Sequence, residues 1–412
     1  MDSDPGKRHA GRMTPWIMVA VCTVMVSMGF GVLFTLAVFL TPLAAEFGWT
    51  RADVSLAYAI ATVGTGIGGI VMGHFADRMP IRRIAIVGTL AAAAALALLG
   101  RMNNLEELYL YHALLGLVGV GAILAPLNSL ASLWLAGRPG LAIGILSAGG
   151  AAGQGLVPFL ARHLVLVEGW RYAYFALAIG YLAIVLPLAF LIRNAPRPTA
   201  SAAAAAAAAV RPYARSRLTV LGLLCVAVVF CCVCMATPIM HVTALGTDRG
   251  LGGRESAGLL ATMMIAGLFG RIIFGSFADR LGSLQSYVVA SVGQTSLAFL
   301  FPYAGSTFAL YALSAIFGLV FSGAMSSLIA CGREYSPAGR TGLSIGVVMF
   351  AGWIGMALGA WQGGVFYDLC GDYFQSFSNA SFAGVINLAL LALLYTYTIN
   401  PRPWVPRPRT AP

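Results

Sequence analysis

The chain alternates between long apolar stretches and short polar breaks along nearly its whole length. Twelve apolar stretches are separated in this way, and each is long enough to cross about 30 Å of hydrocarbon as a helix. The stretches begin near residues 15, 55, 83, 108, 140, 170, 218, 256, 284, 306, 341 and 379. The pattern predicts an all-α membrane protein with twelve transmembrane helices.

A duplicated hexapeptide divides these twelve spans into two sets of six. Gly73-His-Phe-Ala-Asp77-Arg78 ends span two, and Gly275-Ser-Phe-Ala-Asp279-Arg280 ends span eight, 202 residues later. The repeat predicts two six-helix bundles with pseudo-twofold symmetry. The predicted segments are an N-terminal tail, a first bundle, a linker, a second bundle and a C-terminal tail, over residues 1–14, 15–193, 194–217, 218–399 and 400–412.

Composition and charge support a membrane protein. The chain is 59% hydrophobic and 9% charged, whereas soluble proteins carry about 25% charged residues. Its net charge of +11 would suggest nucleic acid in a soluble chain, but 18 of the 25 Lys and Arg residues fall on one side if the N-terminus is cytoplasmic. This distribution satisfies the positive-inside rule. We therefore predict a multi-pass protein of the plasma membrane, here a bacterial inner membrane, in which lipid surrounds the protein. Both termini are expected to be cytoplasmic, and no nucleic-acid partner is expected.

One charge, Arg271, lies deep inside span eight. An arginine at the centre of a transmembrane helix costs about 2.5 to 3.5 kcal/mol on insertion scales. All 14 acidic residues fall near span ends or in loops, so none shares its depth. The position 202 residues earlier is Gly69, so the repeated scaffold does not require this charge. Because a guanidinium pairs with both oxygens of a carboxylate, we predict that a substrate carboxylate binds Arg271. The competing interpretation is that Arg271 bonds backbone carbonyls or snorkels.

The first hexapeptide and the residues after it resemble a known family signature. Gly73-His-Phe-Ala-Asp77-Arg78-Met-Pro-Ile-Arg82-Arg83 resembles the loop 2-3 motif of the major facilitator superfamily, and the second hexapeptide resembles the degenerate copy in loop 8-9. The resemblance implies the major facilitator fold. It also implies a latch between the cytoplasmic ends of the two halves in the outward-open state, formed by Asp77, Arg78, Arg82, Arg83, Asp279 and Arg280.

Four further motifs are similar to the monocarboxylate and oxalate:formate transporter group. They are Arg138-Pro-Gly140-Leu-Ala-Ile-Gly144, Gly169-Trp170-Arg171, Thr237-Pro238-Ile-Met-His241 and Gly363-Gly364-Val-Phe-Tyr367-Asp368. This resemblance implies that the span-eight arginine holds the substrate carboxylate.

The chain departs from that group at three places. Gly267 stands where animal monocarboxylate transporters carry an aspartate. Those transporters also carry a lysine in span one, and the corresponding position here falls near Leu36. Span eleven also lacks the lysine of the oxalate:formate exchangers. One fixed cation matches one carboxylate, which favours a monocarboxylate such as lactate or pyruvate over a dicarboxylate.

Other residues are candidates from their position in the spans. Proton carriers could be His241, His112 or the substrate carboxylate itself, because histidine titrates near neutral pH. Polar or amphipathic pocket candidates are Asn128, Ser147, Gln154, Ser322, Ser326 and Trp353; apolar wall candidates are Phe30, Phe34 and Phe350; Leu36, at the position of the span-one lysine, is a further substrate-site candidate. For each of them the competing interpretation is helix packing or a local hydrogen bond.

The function that these observations favour is secondary transport of small monocarboxylates by alternating access, as proton symport and as a monomer. An organic-anion or dicarboxylate exchanger, a drug-efflux transporter and a non-transporting membrane sensor or scaffold remain as alternatives. No enzyme activity, cofactor or metal is expected. The cysteines of the cluster Cys231, Cys232 and Cys234 have no His or carboxylate spaced to complete a metal site.

Overall fold

The computed structural model describes residues 5–76, 78–135, 139–193, 217–336 and 341–399. In these ranges all regular structure is helical, which confirms the predicted all-α class. The helices are α1 (Pro5–Phe34), α2 (Leu36–Phe47), α3 (Arg51–Ala76), α4 (Ile81–Leu99), α5 (Leu105–Leu114), α6 (Gly121–Trp134), α7 (Pro139–Glu168), α8 (Trp170–Leu191), α9 (Arg217–Asp248), α10 (Gly253–Leu281), α11 (Ser283–Leu300), α12 (Thr307–Glu334), α13 (Thr341–Cys370) and α14 (Phe374–Ile399).

These helices correspond to the twelve predicted spans. Span one is α1 with α2, separated by a break at Thr35, and span four is α5 with α6, joined by the π-helical segment Leu115–Val120. In the described part of the chain, eleven helical spans are long and apolar enough to cross a membrane. The twelfth predicted span, α11, has 18 residues and buries several polar side chains. One of them is Gln294, whose amide donates to the Cys231 carbonyl at 2.9 Å. The lower apolarity of α11 therefore reflects buried polar groups.

The sequence repeat is also a structural repeat. Four helices of the first half begin 202 residues before a counterpart in the second, which gives the pairs α3 and α10, α4 and α11, α5 and α12, and α7 and α13. Their packing repeats as well, since α1 packs on α7 as α9 packs on α13. The predicted linker, apart from Arg217 at the start of α9, lies outside the described residues, as do residues 1–4 and 400–412.

The two halves meet along two pairs of helices. One contact, the α3/α13 seam, joins the second and eleventh spans, and the other, the α7/α10 seam, joins the fifth and eighth. Both hexapeptides end their helices on one side of the bundle, which we call the hexapeptide face. The helices α3 and α10 begin on the other side, the opposite face.

The seams are tight at the opposite face. A Cβ atom on Gly364 of α13 would lie 2.7 Å from the backbone nitrogen of Ala52 on α3. Toward the hexapeptide face the same four helices carry glycines at which a Cβ would meet nothing within 4 Å: Gly73, Gly144, Gly275 and Gly346. The halves are therefore joined at the opposite face and diverge toward the hexapeptide face.

Candidate functional site

Arg271 reaches across the α7/α10 seam near the middle of the bundle. One of its Nη atoms donates to the carbonyl oxygen of Ser147 on α7. Its Nε atom is buried and has no hydrogen-bond partner. A buried polar group left unsatisfied costs about 1 to 3 kcal/mol. The guanidinium is therefore partly held by backbone, as the competing interpretation proposed, but one of its five donors still lacks an acceptor.

No protein carboxylate neutralises Arg271 among the residues that the structure describes. The ion pairs in that part of the chain are Arg51 with Asp248 and Arg171 with Glu46. Both lie at the opposite face, at the ends of the helices. A fixed positive charge thus remains at the centre of the bundle.

A group of aromatic side chains, which we call the aromatic wall, lies between α1 and α13. Phe30 stacks on Trp353 with ring centroids 6.1 Å apart, and it lies 6.4 Å from Phe34. A Cβ on Gly66 of α3 would lie 2.7 Å from the Phe350 ring. The wall thus joins α1 and α13 across α3, and it includes four of the predicted site residues.

The wall adjoins the anchor of Arg271 through α7. A Cβ on Gly150 would lie 2.9 Å from the Phe30 ring. Gly150 follows Ser147 by three residues, or about 4.5 Å along the helix. The aromatic wall and Arg271 therefore meet α7 about one helical turn apart.

Sequence reasoning missed Tyr58, which belongs to the same wall. Its ring lies 5.7 Å from that of Phe34, nearly perpendicular to it. Its hydroxyl is buried and has no hydrogen-bond partner. A usable signal was the helical spacing of Arg51, Ser55, Tyr58, Thr62 and Gly66, which places them on the face of α3 that meets α13.

Several other predicted site residues bond within their own helices. Asn128 donates to the Leu124 carbonyl at 2.7 Å, and Ser326 donates to the Ser322 carbonyl at 3.0 Å. His112 is buried, with Nδ1 2.9 Å from the Leu108 carbonyl. Leu36 is buried just after the break at Thr35. None of these contacts extends toward Arg271.

Ser322 occupies the space beside Gly267. Its side chain is fully buried where α12 packs on α10, and its hydroxyl has no hydrogen-bond partner. A Cβ on Gly267 would clash with this hydroxyl. An aspartate at 267 therefore has no room unless Ser322 moves, so the two residues form a neutral pair one turn from Arg271.

A cluster around Arg51, absent from the sequence-based predictions, closes the α3/α13 seam at the opposite face. The Arg51 guanidinium pairs with Asp248 at 2.7 Å and lies 3.7 Å from the centroid of the Tyr367 ring. The Asp368 carboxylate accepts from the backbone nitrogens of Arg51 and Ala52 at 3.0 and 2.7 Å. Asp368 thus caps the start of α3 from the other half, where the helix dipole favours an anion. We call these contacts the Arg51 clamp.

The predicted proton carrier His241 lies directly behind the Arg51 clamp. Arg51 Nη1 donates to the Tyr373 hydroxyl at 2.6 Å, and that hydroxyl lies 3.2 Å from His241 Nδ1. The other ring nitrogen, Nε2, is 2.8 Å from the Ala360 carbonyl. Burial raises the pKa of Tyr373, so its phenol keeps its proton. His241 is therefore joined through Tyr373 to the contacts that close the opposite face.

The α7/α10 seam is closed at the same face by a second arginine. Arg162 donates to the Gly253 carbonyl at 3.2 Å and to the Val38 carbonyl at 3.3 Å. The repeat offset relates Arg51 to Gly253 and Arg162 to Gly364. Each seam thus joins an arginine of the first half to a glycine of the second, at positions related by the pseudo-twofold axis.

The predicted latch residues lie at the hexapeptide face. Asp77 and the side chain of Asp279 lie outside the described residues. Arg82 stands 5.3 Å from the Phe190 ring of its own half. Four of the predicted latch residues, Arg78, Arg82, Arg83 and Arg280, are exposed and join no ion pair in the described ranges.

Comparison with known families decides the class of this protein. The family model of the Major Facilitator Superfamily matches residues 19–360. The chain belongs to the major facilitator superfamily. It is thus a multi-pass membrane transporter for a small molecule, with the two-bundle fold that the hexapeptides predicted.

Individual relatives in the superfamily are distant. An uncharacterized MFS-type transporter of Bacillus subtilis, YcxA, is 25% identical over 346 residues, covering 81% of this chain and 84% of that one. The agnestins efflux protein of Paecilomyces divaricatus is 26% identical over 288 residues, covering 68% and 63%. The solved structure of a bacterial homologue of the human lysosomal transporter Spinster, inward-facing and occupied, superposes with a TM-score of 0.73 at 16% identity, covering 98% and 100%. That superposition supports the fold alone.

Proposed function

We propose that this protein transports small monocarboxylates of the lactate and pyruvate type, with Arg271 pairing the cargo carboxylate. The observation that carries the proposal is the buried, unpartnered Nε of Arg271 in a site where no described carboxylate neutralises the guanidinium. A carboxylate supplies the missing acceptor and the missing charge together. The aromatic wall offers an apolar surface to the rest of the cargo.

The difference between the two faces supports transport by alternating access. The positive-inside distribution assigns the hexapeptide face to the cytoplasm, so the described conformation is closed outside and open inside. The latch residues of the hexapeptides then meet only after the halves rock to the other state. As a monomer in a bacterial inner membrane, the protein would carry cargo and a proton through this cycle in symport.

Efflux of a larger organic molecule is the second candidate. Two of the relatives are named efflux proteins, for agnestins and for fujikurins. The aromatic wall suits a bulkier cargo than lactate, and Arg271 would then select its anionic form. Exchange of anions, without net proton movement, is the third candidate because Gly267 leaves no carboxylate beside Arg271.

Uptake into proteoliposomes separates these candidates. We expect labelled lactate to accumulate in vesicles holding the wild-type protein when the outer solution is more acidic. Arg271→Ala and Arg271→Lys should both reduce uptake, the alanine variant more, because lysine keeps the charge but not the planar fork. The matched control is Arg101→Ala, an exposed arginine at the opposite face.

Competition by other organic acids identifies the class of cargo. Competition by oxalate that exceeds competition by pyruvate would favour dicarboxylate exchange. Export of aromatic acids without lactate uptake would favour efflux. Unchanged transport in both Arg271 variants would refute the role of Arg271 in any of these functions.

A further inference from the structure

A neutral His241 satisfies every hydrogen bond behind the Arg51 clamp. Arg51 can only donate, so the Tyr373 oxygen accepts from it, and the phenol hydrogen is left for His241 Nδ1. The Ala360 carbonyl can only accept, so Nε2 carries the single ring hydrogen. In this arrangement His241 is neutral and Nδ1 is an acceptor.

We propose that His241 is the proton-binding site that controls the opposite face: the face closes only over neutral His241, and protonation of His241 opens it. This inference rests on the proposed function for its role in proton coupling. The gate itself is defined by the contacts between the halves and needs no assumption about the cargo.

Protonation removes the contact that supports the clamp. A hydrogen on Nδ1 would face the phenol hydrogen of Tyr373, so the bond between them would be lost. The imidazolium would also stand next to Arg51, which shares the same phenol oxygen, and like charges repel at this range. Without its partner, Tyr373 would no longer be oriented to hold Arg51 at 2.6 Å.

The surroundings offer the imidazolium no compensating anion. Asp248 is engaged by the Arg51 guanidinium, and Asp368 is engaged by the start of α3. A carbonyl and a phenol are the described hydrogen-bond partners of His241. The titratable and charged groups around it are Arg51 from α3, Tyr367 and Asp368 from α13, Tyr373 from the following loop, and Asp248 from the end of α9.

This arrangement gives the proton a place in the transport cycle. His241 is fully buried in the closed state, so it exchanges protons with the outer solution only while the opposite face is open. Closing requires the proton to leave, either to the cargo carboxylate or back to that solution. Because glycine at 267 leaves no carboxylate beside Arg271, the proton would act at His241 instead, where its binding is linked to opening of the opposite face.

The test measures gate opening directly, without cargo. Ser55 lies one turn after Arg51 on the same face of α3 and is fully buried. We would introduce Ser55→Cys with Cys370→Ser, which removes the exposed native thiol, and measure labelling by a membrane-impermeant thiol reagent from about pH 8 to about pH 5.5. Labelling of native Cys370 in the parent protein corrects for the effect of pH on the reagent.

We expect the corrected labelling rate to rise about fivefold or more on acidification, the equivalent of losing one buried hydrogen bond. His241→Gln, which cannot titrate, should abolish this dependence. Tyr373→Phe, which keeps the ring but removes the hydroxyl, should raise labelling at every pH and flatten its pH dependence.

Two results would overturn the proposal. One is a corrected rate that is independent of pH in the protein with His241; the other is a pH response that survives in His241→Gln, which would assign it to the carboxylates. The elution profile of each purified variant establishes that it is folded. Since labelling needs no transport, a lactate-inactive protein with the expected pH response would refute the proposed cargo and leave the gate intact.

Discussion

Replacing Gly364 by alanine tests whether close packing at the α3/α13 seam holds the opposite face closed. The added Cβ would lie 2.7 Å from Ala52 N and equally close to the carbonyl group of Arg51. All three neighbours are backbone atoms at the start of a helix, so no flexible side chain can yield. Overpacking of this kind costs typically about 1 to 3 kcal/mol. Only the closed state contains the contact, so the cost falls on that state.

The expected result is a shift of the conformational equilibrium toward the state open at the opposite face by about 5- to 150-fold. Spin labels on Asn103→Cys and Gly305→Cys, exposed loop positions in the two halves, would report the distance across this face in a Cys370→Ser protein. The matched control is Gly346→Ala on the same helix, where a Cβ meets nothing within 4 Å. Identical distance distributions in the two variants would refute the reasoning.

Two further predictions concern the other seam and the central site. Arg162→Ala should also widen the opposite face, because it removes the bond across the α7/α10 seam to the Gly253 carbonyl; by the same spin-label measurement its effect should be smaller than that of Arg51→Ala, which also loses an ion pair between the halves. Gly267→Asp should lower the yield of folded protein because of the clash with the Ser322 hydroxyl, and adding Ser322→Ala should restore that yield. The double variant should still transport less than wild type, since its carboxylate would pair with Arg271; uptake at or above the wild-type rate would contradict this.

The sequence was sufficient for the architecture because the signals for it are local. The length of each apolar stretch marks a span, and the duplicated hexapeptide marks the two halves. The 202-residue offset between the hexapeptides also relates α3 to α10. The same offset correctly aligned Arg271 with Gly69, since both lie on those two helices. Charge placement singled out Arg271 because a buried guanidinium is rare and costly.

The direction of individual polar side chains was not predictable in the same way. Asn128, Ser322 and Ser326 lie at suitable depths, but depth does not determine which neighbour a helix turns toward. A hydroxyl or amide in a membrane helix often bonds the carbonyl one turn earlier, as Asn128 and Ser326 do.

The Arg51 clamp could not be predicted from local sequence because it is made of contacts between distant parts of the chain. Arg51 and Tyr373 are separated by 322 residues, and each alone resembles an ordinary interfacial residue. Two signals were present in the sequence: the Gly363-Gly364 pair, which indicates close helix approach, and the repeat offset, which makes Arg51 and Gly253 equivalent positions of the two halves.

The most direct test of the central claim is equilibrium binding of lactate to the purified protein, with lactamide as its neutral counterpart. If Arg271 pairs the cargo carboxylate, lactate should bind the wild-type protein at least about tenfold more tightly than Arg271→Gln, as expected for loss of a charge-assisted bond. Lactamide should then compete poorly against the wild type. Equal lactate affinity in the two proteins, or competition by lactamide as strong as that by lactate, would contradict the account.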